Sequence, residues 1–360
     1  MNEWVIAMQA RKWMKKNESF LPSWHAYVGV ELDLFNEFEK SITIDEVSDN
    51  TGYPRDLLAS WVRVGVAVKH LKKRPNERFR TSKQRCSTLM GDVSPGLKAI
   101  LKEMMELHIP TMLQYPEIMR SHHRAKFDHE RHGEIVAETS ALLEHFAMKK
   151  IFKMLRHRNV RTVVDLGCGH GGYLRKLAQE FPGVQMIGVD INQKVVNKAR
   201  RLSEGYPNIS FEVGDIKSWE PEEKTDVVLL HNIFHYIHPD ERGELLDHLH
   251  QYVTDQGVIS VITPISESGY GHAFSSAFNS FFIAHENLFA LPKKEELEDI
   301  SDDCQFEMFD FDPIIKEGSW YTFWLAPSSP VNEIRQSTMA GSSEQSIQAD
   351  RAKAELTRTS

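Results

Sequence analysis

At Val160 the hydrophobic pattern of this 360-residue chain changes period, and no other feature constrains its fold as much. Upstream, apolar residues recur at helical spacing, as in WHAYVGVELDLFNEF and AETSALLEHFAMKKIFKML. Downstream, strand-like runs (TVVDL, VQMIGVD, ISFEVGD, DVVLLH, VISVITP) alternate with helical stretches. Such alternation covers both faces of a parallel sheet with helices, so an α/β fold is predicted from residue 160 onward. FEMFDFD and WYTFWLAP add a pair suited to an antiparallel edge. After Pro327 the chain has no aromatic residue, and residues 328–360 read as a disordered tail.

The helical half contains one distinct layout. In ITIDEVSDNTGYPRDLLASWVRVGVAVKHLKK a short helix ends near Asn50, Thr51-Gly52 turns the chain, and Pro54 opens a second helix. VAVKHL and ERFRT then read as two short strands about Pro75-Asn76, a helix-turn-helix with a wing. A DNA-binding role for it is disfavoured. The net charge is −8, and the second helix carries only Arg55 and Arg63 against Asp56, thin for phosphate contacts. No apolar run approaches the roughly 18 residues that span a bilayer, and the N-terminus has no signal-peptide order. Three cysteines, Cys86, Cys168 and Cys304, suit a reducing cytoplasm, so a cytoplasmic protein without membrane or nucleic-acid partners is expected.

The chemistry concentrates in VVDLGCGHGGYL, residues 163–174, where a β-branched run ends in Asp165 and four glycines follow within six positions. Gly167, Gly169 and Gly172 fit G-x-G-x-x-G, and Gly171 lies among them. Glycines between a strand and a helix let a ligand approach the backbone, but alone they do not separate a pyrophosphate from other ligands. The acids do. Asp165, two residues before the first glycine, would repel a pyrophosphate and suits an ammonium group. Asp190 closes MIGVD, where a carboxylate can accept from ribose hydroxyls, with Ile191 beside it. Asp215 ends the third strand-like run, where it can accept from an adenine amino group while Ile216 packs on the ring. An ammonium, a ribose and an adenine without a pyrophosphate describe S-adenosyl-L-methionine.

With VVDLGCGHGG, Asp190, GDI at 214–216 and DVVLLHNIFHYIHPDERGELLDHL in this order, the chain resembles the class I S-adenosylmethionine-dependent methyltransferases. The helical half resembles the dimeric small-molecule O-methyltransferase-like branch. The resemblance implies a Rossmann-like seven-stranded methyltransferase sheet behind a mainly α, winged-helix dimerisation domain. It implies a dimerisation domain over 1–100, a helical linker covering the active site over 101–158 and the cofactor-binding domain over 159–327. A homodimer acting on a small molecule in specialised metabolism is implied with it.

In that branch a histidine base follows the fourth strand. Leu230-His231-Asn232-Ile233-Phe234-His235 fits the motif, so the resemblance implies His235 as the base and His231 as a cofactor-side neighbour. The family continues with aspartate and tryptophan, whereas this chain has Tyr236 and Ile237. Glu267 and Glu286 stand late enough to orient such a base. A second possibility within the fold is C-methylation of an α-keto acid, with iron held by His235 and His285. The cluster SHHRAKFDHERHGE, with His122, His123, His129 and His132, reads as a solvated polar helix sooner than a metal site. Outside enzymology, the alternatives are a winged-helix, ligand-sensing regulator of transcription and a scaffold that only binds cofactor.

Overall fold

A computed structural model describes residues 2–91 and 95–328. The tail expected at 328–360 thus lies, beyond Ser328, outside the described residues. The chain divides into two compact units, Met1–Leu143 and Glu144–Ser360.

The first unit is mainly helical, with one small sheet. Its strands β1 (Ile42–Thr43), β2 (Leu71–Lys73) and β3 (Arg78–Thr81) pair antiparallel in the order β1-β3-β2. The helix Ile44–Thr51 begins with a capping box between Thr43 and Glu46 and ends at Gly52, whose φ of 74° closes the turn. The helix Arg55–Ala67 follows and buries Leu58, Trp61, Val62 and Gly65. These pack with Phe35, Phe38, Val47 and Leu71 into one core. VAVKHL is therefore not a strand along its length. Val62 and Val66 lie four apart and pack on this core, which holds the helix to Ala67, and Lys69 turns at a φ of 66° before β2 starts. The segment SHHRAKFDHERHGE is not one helix either. Helix Ile109–Ser121 stops at His122, in the left-handed region at 60°, and the next helix, His129–Leu155, starts beyond Asp128, which accepts from the Arg131 amide at 3.0 Å.

The second unit is built on the seven-stranded sheet anticipated from the pattern. Its strands are β4 (Thr162–Leu166), β5 (Gln185–Asp190), β6 (Ile209–Val213), β7 (Thr225–His231), β8 (Val253–Pro264), β9 (Phe306–Ile315) and β10 (Trp320–Pro327). Their order is β6-β5-β4-β7-β8-β10-β9. The first five run parallel, and β10 lies antiparallel between β8 and β9. The order reverses between β4 and β7, and α/β sheets bind ligands at the strand carboxyl ends beside such a point.

Side-chain alternation sorts the strand residues into two cores. Val164, Leu166, Val228, Leu230, Ile259 and Val261 face the helices Arg242–Tyr252 and Lys294–Asp303. Val163, Met186, Val227, Leu229, Val258 and Ile262 face the helices Gly172–Glu180 and Gln193–Leu202 and the end of His129–Leu155. Asp226 ties the strand starts together by accepting from the Arg161 and Thr162 amides at 2.8 and 3.2 Å.

Candidate active site at the strand ends

The same alternation carries four polar residues onto the second face. Asp190, Asp165, His231 and Ser260 keep step with Met186, Val163, Leu229 and Ile262 on the neighbouring strands β5, β4, β7 and β8. They sit at or near the carboxyl ends of those strands, where apolar residues would otherwise continue the core. Burying a polar atom without a partner costs about 1–3 kcal/mol, so this substitution of polar for apolar residues asks for an explanation.

Asp165 is 2% exposed, and its Oδ2 is buried without a hydrogen-bond partner. Burial, then the Glu144 and Asp190 carboxylates, push its carboxyl up to about 8. Asp190 is better served. Its Oδ2 accepts from the Gly169 amide at 3.1 Å and its Oδ1 from the Asn192 amide at 2.9 Å. Burial raises its pKa, and these two amides oppose the rise. Ile191, next along the chain, is 71% exposed at the tip of β5.

The glycine loop closes over these acids. The amides of Gly167 and Cys168 both donate to Val189 O, at 2.7 and 2.9 Å, which fastens the loop to β5. Gly167 has a φ of 73°, and a methyl group there would overlap Ile233. At Gly172, the first residue of the helix Gly172–Glu180, a methyl group would overlap the Glu144 carboxylate. That carboxylate pairs with Lys176 at 2.6 Å. The helix start is where a nucleotide phosphate would settle in a dinucleotide fold. Here a carboxylate of the chain itself packs against it.

His231 ends β7, and its Nε2 lies 3.0 Å from Ser260 Oγ. Its Nδ1 is buried without a partner, and burial lowers its pKa to about 3, so the ring is neutral at physiological pH. Tyr173 meets this ring edge-on at 4.4 Å, and its own hydroxyl is buried and unpartnered. Burial first, then Glu144 and Asp165, hold the Tyr173 hydroxyl well above its usual pKa. Three unpartnered polar atoms, on Asp165, Tyr173 and His231, thus belong to one neighbourhood of the strand ends. They would suit a ligand that brings both donors and acceptors, as an amino-acid head does.

Asp215 stands differently from expectation. Strand β6 ends at Val213, and Asp215 lies two residues beyond, because its Oδ1 accepts from the Lys217 amide at 3.0 Å and turns the chain. Ile216 packs against the first core.

His235 lies in the turn Phe234–Tyr236 after β7. It is buried, with its ring stacked on Phe282 at 4.5 Å. Arg242 holds this turn from below, donating to Phe234 O at 3.1 Å and Ala290 O at 2.6 Å and pairing with Glu296. The helix His272–Ile283 brings Phe274 and Phe278 against Trp320, with Phe282 against Phe278, and Trp320 Nε1 donates to Asn232 Oδ1 at 2.9 Å. His285 follows that helix, its Nδ1 2.8 Å from Phe281 O. Among the described residues no three or more histidine, cysteine or acidic side chains group as a metal cluster. Glu286 is exposed, and Glu267 pairs with Lys293 at 2.8 Å. His129 and His132 pack their rings against Phe127.

Sequence reasoning overlooked Tyr173, Ser260, Glu144 and Arg242. Ser260 had a signal, as a hydroxyl inside the otherwise apolar run VISVI. Glu144 had none, since only folding carries its helix to the loop.

Residues 163–257 match the family model of a methyltransferase domain. Over 106 residues the chain is 32% identical to trans-aconitate 2-methyltransferase of Escherichia coli O139:H28, covering 29% of this chain and 40% of that protein. A Shigella flexneri serotype 5b protein of the same name is 33% identical over 106 residues, with the same coverage. The chain thus spans about 40% of the length of the curated relatives it matches. Solved structures extend the likeness in shape. An O-methyltransferase family protein from Burkholderia thailandensis superposes with a TM-score of 0.74 at 19% identity, over 89% of this chain and 98% of that one. Human N-acetylserotonin methyltransferase, solved with S-adenosylmethionine, superposes at 0.68 and 16% identity, over 89% and 98%. The family match thus lies within the sheet unit, and that unit has the class I methyltransferase fold.

Proposed function

We propose that this chain transfers a methyl group from S-adenosylmethionine to a small-molecule acceptor, with O-methylation the favoured chemistry. One observation carries the reading: Asp165, fully buried beneath the glycine loop at the strand-order reversal, keeps a carboxyl oxygen without a partner. An ammonium group supplies the missing donor, and a pyrophosphate would meet the Asp190 and Glu144 carboxylates as like charges. The likeness in fold to O-methyltransferases of small molecules supports the acceptor class. Calorimetry with S-adenosylhomocysteine tests the reading. Binding with one site per chain is expected, and no binding would overturn it.

In this reading S-adenosylmethionine supplies a methyl group already activated on a positive sulfur. Asp165 takes the ammonium, and Gly167, Gly169 and Gly171 let the ligand lie against the loop backbone. Asp190 accepts from the ribose hydroxyls. Ile191 and Ile216 cover the faces of the adenine, and Asp215 accepts from its amino group. His231, neutral and tethered to Ser260, borders the methionine end. His235 takes the proton from the acceptor hydroxyl, and its stacking on Phe282 fixes the ring plane for that task. His235→Ala should cut turnover by about 10²–10⁴-fold, the usual contribution of a positioned base, with cofactor affinity retained. Near-normal turnover would remove His235 from the chemistry.

A homodimer belongs to the same reading. The helix Glu3–Asn17 buries none of its residues, and Trp4, Ile6, Trp13 and Met14 on it are 54–69% exposed. Apolar surface of this kind is stabilised by a partner, and a second copy fits the winged-helix, dimeric architecture proposed for residues 1–100.

A further inference from the structure

Glu144 lies in the helix His129–Leu155, 23 residues before the first glycine of the loop and outside every motif recognised in the sequence. Three observations place its carboxylate at the ligand end of the loop. It occupies the space a side chain at Gly172 would need, so it touches the first turn of the Gly172–Glu180 helix. Its side chain is only 13% exposed, and Lys176, one turn into that helix, pairs with it at 2.6 Å. It also acts electrostatically on both Asp165 and Tyr173, the two buried groups with unpartnered oxygens.

A carboxylate in this place does two things. Helix-terminal amides favour it, so it is held there without a ligand. Its charge, beside an Asp165 carboxyl that an arriving ammonium would ionise, makes this end of the loop hostile to anions and receptive to a cation. Lys176 is 40% exposed, so its ammonium remains within reach of water and of an anionic group arriving with the ligand. A buried acid pair of this kind, flanked by a hydroxyl, matches an α-ammonium group with three donors.

We propose that Glu144 is a cofactor-binding residue, the second acid of the seat that Asp165 begins, and that it selects for ligands carrying a free α-ammonium group. The proposal rests on the reading of the loop as a site for S-adenosylmethionine, and the test separates the two. S-adenosylhomocysteine and 5′-methylthioadenosine share the adenosine and the thioether, and only the first carries the amino-acid head. Calorimetry compares both ligands on the full-length protein and on Glu144→Gln, which keeps the shape and removes the charge.

The expected result is a loss of roughly tenfold or more in affinity for S-adenosylhomocysteine, in line with a hydrogen bond to a charged group, and an unchanged affinity for 5′-methylthioadenosine. Equal losses for both ligands would make Glu144 a structural residue and overturn the proposal, as would no loss for either. Wild-type protein that binds neither ligand would overturn the underlying reading instead, and the proposal with it. A second measurement needs no variant. On the wild-type protein, N-acetylated S-adenosylhomocysteine should bind at least tenfold more weakly than the free amine, and equal affinity would overturn the two-acid seat.

Discussion

Asp165 shows how a single residue couples ligand binding to stability. Its carboxyl rises from 3.8 to about 8 on folding. Between those values the folded protein holds a proton that the unfolded chain has released. Stability therefore is greatest below about pH 4 as far as this group is concerned, and falls as pH rises toward 8. Asp165→Asn should remove that decline and raise the stability of the ligand-free protein at pH 8 by a few kcal/mol. Urea midpoints at pH 5 and pH 8 would check it, and an undiminished slope in the variant would refute it. An ammonium ligand favours the charged acid, so binding at pH 7 should release a proton. Calorimetric enthalpies that change with the ionisation heat of the buffer would report it. Gly167 offers a contrasting residue-scale case, governed by shape. Alanine there adds left-handed strain of about 1–2 kcal/mol per residue and overlap with Ile233. Gly167→Ala should cost roughly 2–4 kcal/mol, and adding Ile233→Ala should recover part of it.

At the scale of elements, the turn that carries His235 depends on a buried cation. Arg242 is fully buried, and its donors satisfy Phe234 O, Ala290 O and Glu296 from three segments. Replacing it with methionine keeps the bulk but strands two carbonyls and a carboxylate, which should cost about 3 kcal/mol. Urea unfolding measures this, and a loss below about 0.5 kcal/mol, typical of surface positions, would show that the turn holds without it. Elements also mark where local pattern misled. VAVKHL has the composition of a strand, yet its Val66 lies one helical turn after Val62 and meets the core of the first unit with it, and burial outweighs β-propensity. Asp215 was expected to end a strand, but its side chain bonds the backbone two residues on and turns the chain first. The seven strands of the sheet were legible because long alternation of strands and helices has few other solutions.

For the whole molecule, the N-terminal helix bears on assembly. If it seats a second copy, deleting residues 1–17 should convert a dimer to a monomer in analytical ultracentrifugation. An unchanged mass would move the interface elsewhere. The amino-acid order alone determined the parallel sheet from residue 160, the glycine loop behind Asp165 and the acid at the end of the second strand. Each is local, readable from periodicity of 2 or 3.6 and from turn chemistry. Only the tertiary structure decided that Asp165, Asp190, His231 and Ser260 share one face of four neighbouring strands. It alone brought Glu144 and Tyr173 to that face and put Arg242 beneath the His235 turn. The reason is distance along the chain. These groups are separated by tens of residues, and what joins them is strand order and helix packing, which no single stretch of sequence encodes.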